Sequence, residues 1–211
     1  VIILSDGSLA FRTEKISRPD LSKINIVNRE IYSGNGGYQR YEVTDSGISP
    51  MSLPGQSGGR YIATGLEHSE TAAPKYSDEY HTRMTEKRFK KIANIEDEYS
   101  ASEWDGNGSA DVGIISWGLT QCSVREAVKR CRVAGLSVSA LYPKLVFPVP
   151  VKAIRRFAST VKKVLIPEVN YQGQFAELIT AHAGINLIRY NIYGGETFTP
   201  DQIESKIKEV I

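Results

Sequence analysis

The 211-residue sequence has little cysteine, little excess charge and no long apolar run. Its two cysteines, Cys122 and Cys131, are too few for a four-thiolate zinc or iron–sulfur site, and they form no CxxC pair, so a reduced, cytoplasmic compartment is favoured. A formal net charge of +2 argues against a nucleic-acid partner. No apolar run reaches the roughly 20 residues of a membrane-spanning helix, so no membrane partner is expected. Hydrophobic residues still make up 41% of the chain, which is enough for a packed core.

Familiar catalytic, metal and nucleotide motifs are also missing from the sequence. It contains no GxGxxG, GxxxxGK[ST], HxH or HExxH pattern, and no metal site is predicted. The stretch 55–59 (GQSGG) has a loop on both sides, so no nucleophile elbow is predicted there. The segment 116–120 joins a predicted strand to a predicted helix, where an anion could bind, but we interpret it as a packing turn. His182 is expected in the core, on the apolar face of a predicted helix, whereas His68 and His81 could be exposed loop residues.

The first half of the chain is rich in loop signals. Glycine-rich stretches at 33–37 (SGNGG) and 53–59 (LPGQSGG) surround short predicted strands at 38–43 and 60–64, and one helix is predicted at 79–92. A loop-rich span of this length is typical of a functional segment or of a segment that wraps over a neighbouring surface.

The second half is regular and predicts four strand–helix units. The predicted strands are 112–117, 136–142, 163–166 and 185–192. Gly135 and Gly184 are expected to end two of the helices, and Thr199 is expected to cap the last one with Pro200 at its first position. Ser123 and Glu126 suggest a capping box, although that helix could begin nearer Thr120. The units predict an α/β fold with an open, mostly parallel sheet.

A basic cluster stands at 87–91 (KRFKK) in the predicted helix of the first half. Such a cluster is usually a solvated face. The alternative is a docking site for an acidic partner or for a phosphorylated ligand such as coenzyme A, and charge composition alone does not separate the two.

Long motifs give the chain a family resemblance. The stretch 54–68 (PGQSGGRYIATGLEH), followed by His81-x-x-Met84-x-x-Lys87-Arg88, resembles the linker region of the α subunit of 2-oxoacid:ferredoxin oxidoreductases, those of the 2-oxoglutarate type especially. The run 110–118 (ADVGIISWG) resembles the opening of core domain II of that subunit. Further similar runs follow in the family's order: 141–145 (LYPKL), 167–174 (PEVNYQGQ) and 198–200 (FTP).

The resemblance implies a domain organisation and a place within a larger subunit. Residues 1–24, opening with a strand-like run at 1–4, would be the last strand and exit of a missing pyrimidine-binding domain. Residues 25–100 would be a connecting arm with short strands and one helix, and 101–211 would be core domain II, of the transketolase C-terminal-like type. The chain is thus expected to be part of a longer protein, and we expect 111–211 to fold autonomously.

The resemblance further implies the chemistry of the whole enzyme. Such enzymes use thiamine diphosphate, magnesium and iron–sulfur clusters to decarboxylate a 2-oxoacid oxidatively, giving an acyl-coenzyme A and passing electrons to ferredoxin. The implied partners are the β subunit, a second copy of the α subunit and ferredoxin.

No catalytic, cofactor-binding or metal-binding residue is carried over to this chain. The family's Tyr-Pro-Ile-Thr-Pro motif, which contacts thiamine diphosphate, and the GDG…N motif for diphosphate and magnesium are both absent from it. We therefore expect an inactive fragment that builds interfaces and binds no cofactor itself. Arg60, Tyr61, Glu67 and His68 are candidates for a subunit seam or substrate entrance, because the glycine-rich arm 54–91 has few apolar residues to order it by itself.

Two other interpretations stay open from the sequence. One keeps the cofactor class and makes the chain the C-terminal domain of a transketolase or of a 2-oxoacid dehydrogenase β subunit. The other is a stand-alone, doubly wound α/β binding or interaction module.

Overall fold

The computed structural model describes residues 2–99, 101–106 and 108–211, in two compact units, residues 1–94 and 95–211. The boundary between the units lies within a long helix. The sequence predicted three segments, divided at residues 24 and 100. The two units do not test that division, so it stays a prediction.

The second unit is built on a five-stranded sheet. Its strands are β1 (Ser102–Asp105), β2 (Ala110–Ile115), β3 (Val138–Pro143), β4 (Val161–Glu168) and β5 (Ile188–Asn191). The strand order is β1-β3-β2-β4-β5, with β2 to β5 parallel and β1 antiparallel to β3. The helices α3 (Thr120–Val133), α4 (Val151–Ala158), α5 (Gln174–Ala183) and α6 (Pro200–Val210) follow the four parallel strands in turn. The predicted α/β fold with an open, mostly parallel sheet is confirmed.

Apolar residues alternate between the two faces of the sheet because successive side chains on a strand point in opposite directions. One face packs on α3 and α6 through Val112, Ile114, Val128, Leu165 and Ile203, among others. The other face packs on α4 and α5 through Ile115, Ile154, Phe157, Ile166 and Ile179, among others. The unit is therefore a three-layer α/β/α sandwich.

Gly113, in the middle of β2, faces the α4 side of the sheet with no side chain. A Cβ built there would lie 2.8 Å from two ring carbons of Phe157 and 2.8 Å from Cγ2 of Val161. The Phe157 ring therefore occupies the space that any larger residue at position 113 would need.

A predicted cap forms at the start of α6 and a predicted one does not form in α3. Thr199 caps α6 as predicted, in a capping box with Gln202, and Pro200 is the first residue of the helix. The predicted box of Ser123 and Glu126 does not form, because α3 already begins at Thr120. Ser123 Oγ instead donates to the carbonyl of Phe198 at 2.5 Å.

The N-terminus of α5 follows Gly173, which has no side chain to cap it. The buried carboxylate of Glu168 takes that role and accepts from the backbone N–H groups of Phe175 and Ala176 at 3.0 and 2.8 Å. Asn170 Nδ2 also donates to Glu168, at 2.9 Å.

The first unit is mostly irregular. It contains α1 (Gly7–Ala10), a 3-10 turn (Leu21–Lys23) and the larger part of α2 (Asp78–Tyr99), which extends beyond the predicted helix at 79–92. The strands predicted at 38–43 and 60–64 do not form. Among the residues of this unit that the structure describes, isolated bridges alone occur, joining Ile31 to Met51 and His68 to Pro74. Residues 2–4 are not a strand either, and Val1 lies outside the described residues.

The expectations for two histidines also need correction. His182 is exposed on α5, because the buried stripe of that helix is Phe175, Ala176, Ile179 and Ala183 and His182 lies beside it. His68 is buried rather than exposed. None of the described helices is both long enough and apolar enough to cross a bilayer.

Candidate functional site

A cavity of about 490 Å³ lies in the first unit, between the loop segments 29–51 and α2. Five of its lining residues are basic: Arg29, Arg40, Lys87, Arg88 and Lys91. The other lining residues are uncharged or histidine: Tyr41, Gly47, Ile48, Ser49, Met51, His68 and Met84. No carboxylate is found among these lining residues, so the cavity carries a concentrated positive charge.

Helical spacing brings the cations of α2 to the cavity. Met84, Lys87, Arg88 and Lys91 are three or four residues apart, which places them on one side of the helix. Met84 is fully buried and anchors that side to the unit. Three residues of the basic cluster 87–91 thus line the cavity, while Phe89 of the same cluster is 70% exposed.

Gly47 lets the opposite loop approach the helix backbone closely. Its φ is +73°, and a Cβ at this position would lie 2.8 Å from the backbone nitrogen of Lys91 and 3.0 Å from the carbonyl oxygen of Lys87. A residue with a side chain would therefore be strained here and would push the loop away from α2.

One cation of the cavity is neutralised by Glu67. Arg88 Nη2 lies 2.6 Å from Glu67 Oε1, and His81 Nδ1 lies 2.7 Å from Glu67 Oε2. Hydrogen bonds from Arg88 and His81, in that order of effect, lower the pKa of Glu67 to about 2. The Glu67 carboxylate therefore stays ionised and fixes Arg88 at the cavity edge.

The other four cations have no carboxylate within 4 Å in the described ranges of the chain. Lys87 Nζ donates to the carbonyl of Gly47 at 3.3 Å, and Arg29 Nη1 lies 3.0 Å from Met51 Sδ. The guanidinium of Arg40 lies over the rings of Tyr41 and Tyr61, 5.1 and 5.7 Å from their centroids. Its buried Nε has no hydrogen-bond acceptor among the residues that the structure describes.

The surroundings of Lys87 change its pKa. Burial lowers the pKa of Lys87, and the positive charges of Lys91, Arg40 and Arg88 lower it further. The cavity thus holds like charges together, and an anion would relieve their repulsion.

The structure brings together some of the residues predicted at a subunit seam. His68 lines the cavity and stacks on Tyr41 with ring centroids 3.9 Å apart. Glu67 binds Arg88 at the edge, and Tyr61 contacts Arg40 from outside the cavity. Arg60 is exposed and does not line the cavity.

Sequence reasoning missed Arg29 and Arg40 as cavity residues. They are separated from α2 by about 40 or more residues of irregular chain, and no spacing rule connects such positions. Arg40 is an isolated arginine among glycines and tyrosines, and Arg29 lies between Asn28 and Glu30, so neither belongs to a basic cluster in the sequence.

The turn at 116–120 keeps its interpretation as a packing turn. Trp117 packs against Phe175 at a centroid distance of 6.0 Å, and Gly118 adopts a φ of +59°. Ser116 is buried, and its Oγ has no hydrogen-bond partner among the described residues. Nowhere in the described part of the chain do three or more His, Cys, Asp or Glu residues form a group suited to a metal ion.

Comparisons with known proteins identify the second unit. Residues 110–203 match the family model described as pyruvate:ferredoxin oxidoreductase core domain II. The chain is 31% identical, over 88% of its length, to 2-oxoacid:ferredoxin oxidoreductase 2, subunit alpha, of Aeropyrum pernix. It is related to the α subunits of 2-oxoacid:ferredoxin oxidoreductases. The resemblance predicted from the sequence motifs is confirmed.

The relationship to this α-subunit family extends over nearly the whole chain. The 2-oxoglutarate synthase subunit KorA of Methanothermobacter marburgensis is 30% identical over 98% of the chain. A solved 2-oxoglutarate:ferredoxin oxidoreductase from Magnetococcus marinus, with 2-oxoglutarate, coenzyme A and succinyl-CoA bound, is 49% identical over 98% of the chain, with a TM-score of 0.94.

The chain covers only part of each of these α-subunit relatives. It spans 29% of the Aeropyrum pernix subunit, 55% of the Methanothermobacter marburgensis subunit and 36% of the Magnetococcus marinus chain.

Proposed function

We propose that this chain is the C-terminal part of the α subunit of a 2-oxoacid:ferredoxin oxidoreductase that uses 2-oxoglutarate. The enzyme would convert a 2-oxoacid, coenzyme A and oxidised ferredoxin into an acyl-coenzyme A, carbon dioxide and reduced ferredoxin. The observation that carries this proposal is the 49% identity and TM-score of 0.94 to the Magnetococcus marinus enzyme, whose structure holds 2-oxoglutarate and succinyl-CoA.

The cofactors of the reaction are proposed to lie on other parts of the complex. The two cysteines do not fit an iron–sulfur cluster, since Cys131 is buried in the core and Cys122 is a single exposed thiol. The motifs that the resemblance assigns to thiamine diphosphate and magnesium are absent from the sequence. The chain's own contribution would be to position neighbouring domains, with the cofactor supplying the chemistry.

The first unit is proposed to build a seam with the β subunit or with a second α subunit. Tyr61 and Leu66 of the predicted arm are 37% and 52% exposed, and Phe89 on α2 is 70% exposed. Burying such a side chain fully from water stabilises by about 1.5–3 kcal/mol, and a partner that covers the remaining exposed area would supply a part of that. Arg60, Tyr61, Glu67 and His68 are proposed to lie at this seam, and ferredoxin would meet the assembled complex in the cytoplasm.

The complete enzyme tests this function directly. The full-length α subunit, co-expressed with its β subunit, is expected to reduce ferredoxin in the presence of 2-oxoglutarate and coenzyme A, and to use pyruvate less well. A preference for pyruvate would contradict the substrate assignment, and no reduction with any 2-oxoacid would contradict the reaction.

The 211-residue chain alone provides the companion experiment. We expect it to be inactive and to release no binding heat when thiamine diphosphate and magnesium are titrated into it. Micromolar binding in that titration would contradict the proposal that the cofactors lie elsewhere.

A further inference from the structure

The glycine-rich stretch 33–37 (SGNGG) of the first unit contains an asparagine that is followed directly by a glycine. Asn35 and Gly36 are both exposed, and the stretch belongs to no helix or strand. A Cβ built at Gly36 or Gly37 would meet no heavy atom within 4 Å beyond its chain neighbours. Open space therefore surrounds the backbone at this asparagine.

An asparagine followed by a glycine can react within the chain. The backbone nitrogen of Gly36 attacks the side-chain carbon Cγ of Asn35 and closes a five-membered ring. A bond forms between this nitrogen and Cγ, the bond between Cγ and Nδ2 breaks, and the proton of the Gly36 N–H leaves with the side-chain amide as ammonia. Water then opens the ring at either carbonyl and leaves aspartate or isoaspartate.

The glycines of the stretch favour ring closure, because the attacking nitrogen must approach Cγ closely. Glycine has no Cβ and adopts backbone conformations that other residues rarely reach. Gly34 has a φ of +85° and Gly36 a φ of +151°. The backbone on both sides of Asn35 can therefore change its conformation at little steric cost.

Tyr32 restrains the attacking nitrogen. The backbone N–H of Gly36 donates to the Tyr32 hydroxyl at 3.1 Å, and this hydroxyl donates to the carbonyl of Gly36. The ring of Tyr32 packs against Tyr38 with centroids 4.9 Å apart, and its carbonyl accepts from Gln56 Nε2 at 2.6 Å. Since the Gly36 N–H must leave the hydroxyl before it can react, Tyr32 slows the reaction.

Two other asparagines show the contrast. Asn94 lies in α2, precedes an isoleucine, and donates from Nδ2 to the carbonyl of Ser46 at 3.1 Å. Asn170 precedes a tyrosine, donates from Nδ2 to Glu168 and accepts from the N–H of Gly173 at 2.6 Å. Their side chains are held by hydrogen bonds, whereas that of Asn35 is exposed. Asn107, which also precedes a glycine, lies outside the described residues.

We propose that Asn35 is a site of spontaneous deamidation and that the hydroxyl of Tyr32 limits its rate. The product carries one more negative charge in the stretch 33–37. In its isoaspartate form it also lengthens the backbone by one carbon. The inference concerns this stretch alone and does not depend on the reaction proposed above.

Ageing of the 211-residue chain at neutral pH, followed by peptide mapping, tests the site. Trypsin cleaves after Arg29 and Arg40, so the peptide 30–40 contains Asn35 as its single asparagine. We expect this peptide to gain the mass difference between an amide and an acid, and to become a substrate for isoaspartyl methyltransferase. The peptides that contain Asn94 and Asn170 are expected to change at least about tenfold more slowly, because their hydrogen bonds must break first.

Matched variants test the role of Tyr32. Tyr32→Phe removes the hydroxyl and keeps the ring, and it is expected to speed the reaction at Asn35 about fivefold, because the hydrogen bond to the Gly36 N–H is lost. Tyr76→Phe is the control, since Tyr76 is 81% exposed, and it is expected to leave the rate within about twofold of the unaltered chain. Circular dichroism checks that each variant keeps its helix content.

A further variant and a synthetic peptide complete the experiment. Asn35→Gln is expected to abolish the mass gain in peptide 30–40, because ring closure from the longer side chain is unfavourable. A synthetic peptide of the sequence 30–40 is expected to react faster than the same segment in the folded chain, since nothing fixes its Gly36 N–H.

Several results would overturn the proposal. One is an unchanged peptide 30–40 from the folded chain after an ageing time that converts the synthetic peptide completely. Another is an equal rate at Asn35 and Asn94, because the exposed glycine-rich stretch would then give no advantage. An equal or slower rate in Tyr32→Phe than in the unaltered chain would show that the hydroxyl does not limit the reaction.

Discussion

Glu67 joins the cavity edge to the start of α2 through two contacts. Its carboxylate binds Arg88 at 2.6 Å and His81 at 2.7 Å, and the pKa of Glu67 is lowered from 4.5 to about 2. A carboxyl group whose pKa is lower in the folded chain than in the unfolded chain stabilises the fold above its unfolded pKa. That stabilisation is lost as the pH falls through the folded pKa.

We therefore expect the Glu67→Gln substitution to lower the melting temperature at pH 7 and to have no effect near pH 2. The difference between the two chains should shrink as the pH falls from about 4.5 towards 2. Far-UV circular dichroism melts over this pH range measure the difference.

Tryptophan fluorescence gives the internal control, because Trp104 and Trp117 both belong to the second unit. A pH-independent difference between Glu67→Gln and the unaltered chain would show that the ion pairs contribute nothing. A shift in the fluorescence melt as well would show that the substitution acts on the whole chain.

The residues of the cavity illustrate what the sequence can predict at this scale. Lys87, Arg88 and Lys91 were predictable as one cluster because a helix has a regular period. The buried position of His68 was not, because it depends on a stack with Tyr41 across 27 residues of irregular backbone. His182 was predicted in the core from a short apolar pattern. It is exposed because it lies beside the buried stripe of α5 and not within it.

At the scale of the elements, Glu168 serves as the cap of α5. Its buried carboxylate accepts from the N–H groups of Phe175 and Ala176 and from Asn170 Nδ2. Glu168→Ala is expected to lower the free energy of unfolding by roughly 2–4 kcal/mol, because buried donors to a charged group lose their acceptor. Urea denaturation followed by the fluorescence of Trp117 measures this loss.

Two further substitutions make the α5 result specific. Glu168→Gln keeps one acceptor oxygen and is expected to recover part of the stability lost in Glu168→Ala. Glu177→Gln, on the exposed surface of the same helix, is expected to change the stability by no more than about 0.5 kcal/mol. Equal effects at positions 168 and 177 would argue against the capping role.

The elements of the second unit were largely predictable, and those of the first were not. The parallel strands β2 to β4 each contain a buried run (112–115, 138–142 and 164–167), and each of the helices α3 to α6 carries one apolar face, so local pattern and tertiary packing agree. β1 was missed because Ser102–Asp105 is short and polar, and it becomes a strand only by pairing with β3. The stretches at 38–43 and 60–64 have strand-like composition but meet no partner strand in the described residues.

At the scale of the whole molecule, the contacts of β1 determine where a fragment that contains the second unit should begin. Glu103 on this strand forms a two-point pair with Arg125 at 2.6 and 2.7 Å. Trp104 packs on Phe157, with ring centroids 5.3 Å apart, and Asp105 binds Arg132 at 2.5 Å. The sheet edge at β3 is covered by these contacts.

We expect a fragment of residues 101–211 to fold cooperatively and one of residues 111–211 to melt at least about 4 °C lower, since it lacks β1. The shorter fragment should also self-associate more, because it leaves the edge of β3 unpaired. Calorimetric melting and light scattering compare the two. Equal melting temperatures would show that β1 is dispensable and that the boundary at residue 111, expected from the sequence, is adequate.

The close approach of Phe157 to Gly113 also has a consequence for how the sequence can evolve. The ring of Phe157 fills the volume that a side chain at 113 would take, so position 113 cannot gain a side chain while position 157 keeps its phenylalanine. In relatives that carry alanine or a larger residue at the first position, the second should have shrunk in compensation. Positions 113 on β2 and 157 on α4 are therefore expected to have changed together during evolution.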